Sequence, residues 1–165
     1  ASRHFFKKEI PVFKTILYPT DFSDTAGKSI EYLKQLHNTG AQKVIILNVI
    51  HQRVLDTLET IHKAAYFQDG RYHEDMDEAE LRLGKDREKK IAPIAAELEA
   101  AGYEVKIRIE KGYPVKEILK VEKEEAVSII VLGSHGRNNI KNAFMGSVSE
   151  KVIRRAISNV LLVKR

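Results

Sequence analysis

The sequence has no cysteine. Disulfides, zinc–thiolate centres and thiol catalysis are therefore excluded. No run of residues comes near the roughly 18 apolar positions that a membrane-crossing helix needs. The first fourteen residues, ASRHFFKKEIPVFK, are charged and lack both the apolar core and the small-residue cleavage site of a secretory signal, so a soluble cytoplasmic protein is expected, with no membrane partner. Neither a Walker-type GxxxxGKS/T loop nor a GxGxxG dinucleotide fingerprint occurs. No stretch interleaves basic and aromatic residues as single-strand binders do, which argues against nucleic acid as the partner.

What is present describes one folded domain. The chain has 165 residues, of which Ile, Leu, Val and Phe make up 49, well above the roughly one-fifth below which disorder is expected. A chain of this length buries a core without staples. The net charge is +5, and its placement is uneven. Residues 1–14 carry +3 and residues 133–165 carry +6, so the stretch between them is acidic. Part of the basic excess surrounds a glycine-bearing loop. It is either a solvated face or a field that attracts phosphate.

Apolar periodicity sets the elements. Thr15–Pro19 (TILYP) and Val44–Ile50 (VIILNVI) read as buried strands. Between them, Ala26, Ile30, Leu33 and His37 mark one helical face, capped by Ser23 or Asp24 and stopped at Gly40. Residues 51–75 are weakly periodic and read as an excursion with a short helix near Val54–Ala65. A long amphipathic helix carries Met76, Ala79, Leu83, Ile91, Ile94 and Leu98, with Pro93 expected to kink or divide it and Gly102 to end it. Tyr103–Ile109 alternates, as an edge strand with one polar face does. Pro114 opens a short helix, Val127–Leu132 is another buried strand, a helix spans about Gly146–Ala156, and Val160–Val163 is the last strand. The fold class is therefore α/β: a single-domain, Rossmann-like open sheet of five parallel strands, with helices on both faces and strand order 3-2-1-4-5. That order reverses between strands 1 and 4, and ligands bind beyond the strand ends at such a point. Pro19–Asp21 and Gly133–Gly136 are the residues placed there.

The loop after strand 4 holds the chemistry. Gly133 and Gly136 lie at the strand end, and Gly146-Ser147-Val148-Ser149 opens a helix whose free N–H groups favour an anion. The Ser147 and Ser149 hydroxyls can donate to phosphate oxygens, and Arg137 and Lys141 add positive charge. On the opposite lip, Asp21 can accept hydrogen bonds from ribose or an adenine amino group, or simply cap the next helix.

At these residues the chain resembles the universal stress proteins. ILYPTDFSDTAGKSIEYL near the start, the spacing G-x2-G-x9-G-S at Gly133, Gly136, Gly146 and Ser147, and the ending SEKVIRRAISNVLLVK carry the resemblance. It covers residues 14–165 as one domain and leaves 1–13 as an N-terminal extension. It implies the adenine nucleotide alpha hydrolase-like version of the fold and an ATP site (or AMP) of the glycine-signature branch. Pro19, Thr20 and Asp21 would flank adenine and ribose, with Val49 completing the adenine pocket. Leu132, Gly133, Ser134, His135, Gly136 and Arg137 would line the ribose–phosphate side. Gly146, Ser147, Val148 and Ser149 would bind phosphates, and Mg2+ or Mn2+ would be held through them. The family implies a homodimer through the last strand, Val160–Val163, and a protein partner of unknown identity. Tyr18 departs from the smaller residue usual in the family and would narrow the pocket if it points there.

Other residues have plainer readings. His135 positions its loop or touches phosphate. His51, His62 and His73 recur every eleven residues, a spacing that does not build a zinc pair. Phe144-Met145 packs on the domain or covers the nucleotide, and Tyr66-Phe67 covers core or a dimer surface. No Walker lysine and no poised general base stand out. The reading is thus a nucleotide-binding stress-response regulator with little or no hydrolysis. Two alternatives stay open: a slow ATP-hydrolysing or adenylyl-transferring enzyme, and an AMP-binding or nucleotide-free dimeric interaction module.

Overall fold

The computed structural model describes residues 12–69, 76–134 and 145–164. In chain order it forms β1 (Thr15–Pro19), α1 (Asp24–His37), β2 (Lys43–His51), α2 (Gln52–Asp69), α3 (Met76–Ala100), β3 (Glu104–Gly112), α4 (Pro114–Glu124), β4 (Ile129–Gly133), α5 (Ser147–Arg155) and β5 (Asn159–Val163). The five strands make one parallel sheet in the order β3-β2-β1-β4-β5, as expected.

Two apolar layers enclose the sheet, because strand residues alternate between its faces. Ile16, Tyr18, Val44, Ile46 and Val131 pack with Leu33 of α1 and Ile91 and Leu98 of α3. Leu17, Ile45, Leu47, Ile130 and Leu132 pack with Ile118 and Val121 of α4 and Val152 of α5. Ser23 is the cap of α1, its hydroxyl accepting from the Ala26 N–H.

Two expectations need correction. The excursion is one helix, α2, that starts directly after β2 and runs to Asp69, longer than Val54–Ala65. Its periodicity was weak because Leu55 is its one buried apolar residue among the described ones, while Ile61 and Phe67 face outward. Pro93 does not divide α3, which runs unbroken from Met76 to Ala100. Pro93 is exposed, so the carbonyl it leaves without a donor lies toward water. β3 is an edge strand, as expected, and its polar side carries ion pairs. Arg108 reaches Glu124 at 2.7 Å and Glu110 at 2.5 Å, and Lys106 reaches Glu125 at 2.6 Å, so acids at the end of α4 cover it.

Candidate functional site

β1 and β2 pair from Thr15–Lys43 to Pro19–Leu47, and the Thr20 N–H continues the ladder to the Leu47 carbonyl at 2.9 Å. β1 and β4 pair only at Ile16–Ile129 and Leu17–Ile130. The sheet therefore opens between β1 and β4 beyond Leu17, at the reversal of strand order. The crevice lies where the sequence pattern puts it.

The β1 lip is rigidly built. Thr20 is buried, its Oγ1 accepting from the Phe22 N–H at 3.1 Å, and the Asp21 carboxylate accepts from the Ser23 N–H at 3.0 Å. Phe22 sits at φ 63°, a left-handed conformation that a bulky residue adopts only when its surroundings hold it. The Arg87 guanidinium (5.8 Å) and the Lys90 ammonium (6.0 Å) of α3 lie over its ring. Asn48 of β2 donates to the Thr20 carbonyl at 2.8 Å and is itself buried, leaving its Oδ1 without a partner. Asn48 was absent from the sequence-derived set. A lone amide inside VIILNVI was the signal that could have found it, since a buried amide needs a partner.

The opposite lip joins β4 to α5. Gly133 packs closely on α1: a Cβ there would meet the Ala26 nitrogen and Thr25 at 3.2 Å, a tight contact that α1 would have to yield to. The Ser134 N–H donates to the Val163 carbonyl at 2.8 Å, and the Gly146 N–H donates to the Ser134 carbonyl at 2.7 Å. These two bonds close the base of the loop onto the sheet. His135, Gly136 and Arg137 lie outside the described residues, as do Lys141 and Phe144. Gly146 is the N-cap of α5 and no side chain caps the helix. The N–H groups of Ser147, Val148 and Ser149, the first helical turn, thus have no intrahelical acceptor.

Several predicted roles change. The Ser149 hydroxyl donates to the Gly133 carbonyl at 2.8 Å and is buried, so it ties α5 to β4 instead of facing an anion. The Leu132 side chain is buried beneath α4 and α5 and does not open onto the crevice. Tyr18 does not narrow any pocket. Its ring lies in the layer between sheet, α1 and α3, and its hydroxyl donates to the Ala26 carbonyl at 2.6 Å. Burial pushes its phenol up to about 12, with the Asp21 carboxylate adding to the rise against a lowering hydrogen bond with Thr20. Pro19 and Val49 are half-buried, Val49 on the α4–α5 side.

On that side a cleft of about 910 Å³ runs from Ser147 and Val148 along α4 and α5, with His51 and Tyr113 at its edge. Their rings meet edge to face at 5.6 Å. Among the described residues no group of three metal-ligating side chains forms, and no helix is long and apolar enough to cross a membrane.

The model of the universal stress protein family matches residues 13–164. The chain belongs to the universal stress protein family. It is similar to universal stress protein MJ0577 of Methanocaldococcus jannaschii, 38% identical over 157 residues that cover 93% of this chain and 96% of the relative. A solved structure of MJ0577 superimposes with a TM-score of 0.78 at 37% identity, covering 93% of this chain and 97% of that one. Two more distant universal stress proteins share the fold. One is in complex with cAMP (21% identical, 92% and 97% covered, TM-score 0.57), and one from Archaeoglobus fulgidus is in complex with dAMP (16% identical, 94% and 100% covered, TM-score 0.55).

Proposed function

We propose that this universal stress protein binds an adenine nucleotide, ATP or AMP, in the crevice between β1 and β4, and acts as a regulator with little or no hydrolysis. The observation that carries this reading is the uncapped first turn of α5, tied by Ser149 to the end of β4, the strand beside the reversal point of the sheet. The N–H groups of Ser147, Val148 and Ser149 are an anion site, and across from them the Asp21 carboxylate is fixed by its own turn. Residues present therefore fit a nucleoside at one lip and phosphates at the other. The fold holds adenine nucleotides in the cAMP and dAMP complexes of its distant relatives.

In this reading Pro19, Thr20, Asp21 and Val49 border the nucleoside. Gly133, Ser134, His135, Gly136 and Arg137 border the ribose and phosphates, and Gly146 lets the chain approach them closely. Mg2+ or Mn2+ is held by phosphate oxygens and supplies charge neutralisation there. The edge strand β5 serves as the homodimer surface, since Val160, Leu161 and Leu162 are only half-buried on one chain.

Isothermal titration calorimetry with ATP and Mg2+ tests the reading. Wild-type chain should bind. Gly146→Val should lose at least tenfold in affinity, because a branched side chain crowds the amide turn. No binding by wild-type chain to ATP or AMP refutes the proposal.

A further inference from the structure

The cleft between α4 and α5 is more basic than nucleotide binding requires. Arg53, Lys116, Lys123, Lys151 and Arg155 line it, and none has a carboxylate within ion-pair distance among the described residues. Elsewhere on the surface Lys34, Lys63, Lys90 and Arg154 are paired with acids at 2.5–3.2 Å. The cleft's one acid among the described lining residues, Glu124, is occupied by Arg108 at 2.7 Å. Like charges gathered in one cleft without partners repel, so this arrangement destabilises the empty chain and favours an anion.

The spacing says what kind of anion. Lys116 and Lys123 lie seven residues apart on α4, with Lys120, itself paired with Glu117 and Glu110, between them, and Lys151 and Arg155 lie four apart on α5. At 1.5 Å per residue these rows are about 10 Å and 6 Å long. A ligand lying in the cleft meets cations from both helices. Val115 and Leu119, both half-buried, form an apolar stretch that weakens competition from water. We propose that this groove binds a linear phosphate chain, lying along α4 and α5 beyond the nucleotide crevice. An acidic peptide fits less well, because its carboxylates would have to project to both walls at once, whereas each phosphate of a chain carries charge on both sides.

The test uses the full chain and fluorescently labelled short-chain inorganic polyphosphate, with anisotropy read at several salt concentrations, with and without saturating ATP. The variant is Lys123→Gln/Arg155→Gln, two exposed residues away from Ser147 and Val148. Wild-type chain should bind polyphosphate in either condition. The double variant should bind at least tenfold more weakly, and its slope of log affinity against log salt should shrink by about 1.4. Its ATP affinity by calorimetry should stay within twofold. Polyphosphate capped by adenosine at both ends separates the sources: ATP displaces a nucleoside-capped chain but leaves an inorganic one bound. Three results overturn the proposal: unchanged polyphosphate binding by the variant, displacement of inorganic polyphosphate by ATP, or equal binding of oligoglutamate of matched charge. The last would make the groove a peptide-docking surface. Loss of ATP binding alone, with polyphosphate binding intact, would sink the nucleotide reading and leave this one standing.

Discussion

Tyr18→Phe separates the burial of this tyrosine from any role in the crevice, and its effect has opposite signs at neutral and alkaline pH. At pH 7 the change removes one buried hydroxyl bond, 2.6 Å to the Ala26 carbonyl. That costs about 1 kcal/mol, or roughly 2–4 °C in Tm for a chain of this size. In alkali the balance shifts. Burial raises the phenol from 10.0 to about 12 in the folded state. A group whose folded value lies above its unfolded value contributes stability in full below the unfolded value and loses it as pH rises through the folded one. Wild-type chain should therefore lose about 2.3 kcal/mol by pH 12 from Tyr18 alone, approaching about 2.7 kcal/mol at still higher pH. The variant has no such group. Its stability starts about 1 kcal/mol lower and should cross the wild-type curve near about pH 10.7. Tyr103, also raised to about 12 by burial, titrates in both chains and cancels in the difference. Urea unfolding followed by far-UV circular dichroism from pH 7 to pH 12 measures both curves. Parallel curves above pH 10 would refute the buried placement. ATP affinity should stay within twofold, and a larger change would mean that the ring reaches the crevice.

Two other substitutions probe the supports of the site. The Glu122 carboxylate is buried and accepts from the N–H groups of Ile157 (2.8 Å) and Ser158 (2.6 Å), in the turn from α5 to β5. Glu122→Ala should lower unfolding free energy by about 3 kcal/mol, while Glu122→Gln, which keeps an acceptor, should lose less than half of that in chemical denaturation. Ser149→Ala removes the bond to the Gly133 carbonyl and should cost about 1 kcal/mol. It should leave the amide anion site in place, so calorimetry should show an ATP affinity loss below fivefold. A larger loss would return the hydroxyl to direct phosphate contact.

The strand order was readable from residue patterns because each strand is a short apolar run bounded by helices, and parallel crossovers leave few arrangements. The location of the crevice followed from that order, and the turn chemistry of Pro19–Asp21 and Gly146–Ser149 marked its lips. Side-chain direction was not readable. Tyr18 was placed near the pocket by position, but strand alternation sends it to the opposite face of the sheet from Val49, against α1. Ser149 looked like a phosphate ligand in a glycine–serine motif, yet the third residue of α5 comes close to the end of β4 and its hydroxyl finds the Gly133 carbonyl first. The support given to Thr20 by Asn48, and to Phe22 by Arg87 and Lys90, joins residues up to 68 positions apart.

Sequence by itself determined the α/β class, the order of the strands and the position of the helix start after the glycine-bearing loop. Each depends on local periodicity, and capping and turn chemistry act over a few residues. Tertiary structure alone decided which polar groups face the crevice and which are used up within the chain. It also gathered Arg53, the lysines of α4 and the cations of α5 into one cleft. Those residues are spread over about a hundred positions, and only packing of α4 and α5 on the same face of the sheet brings their charges together.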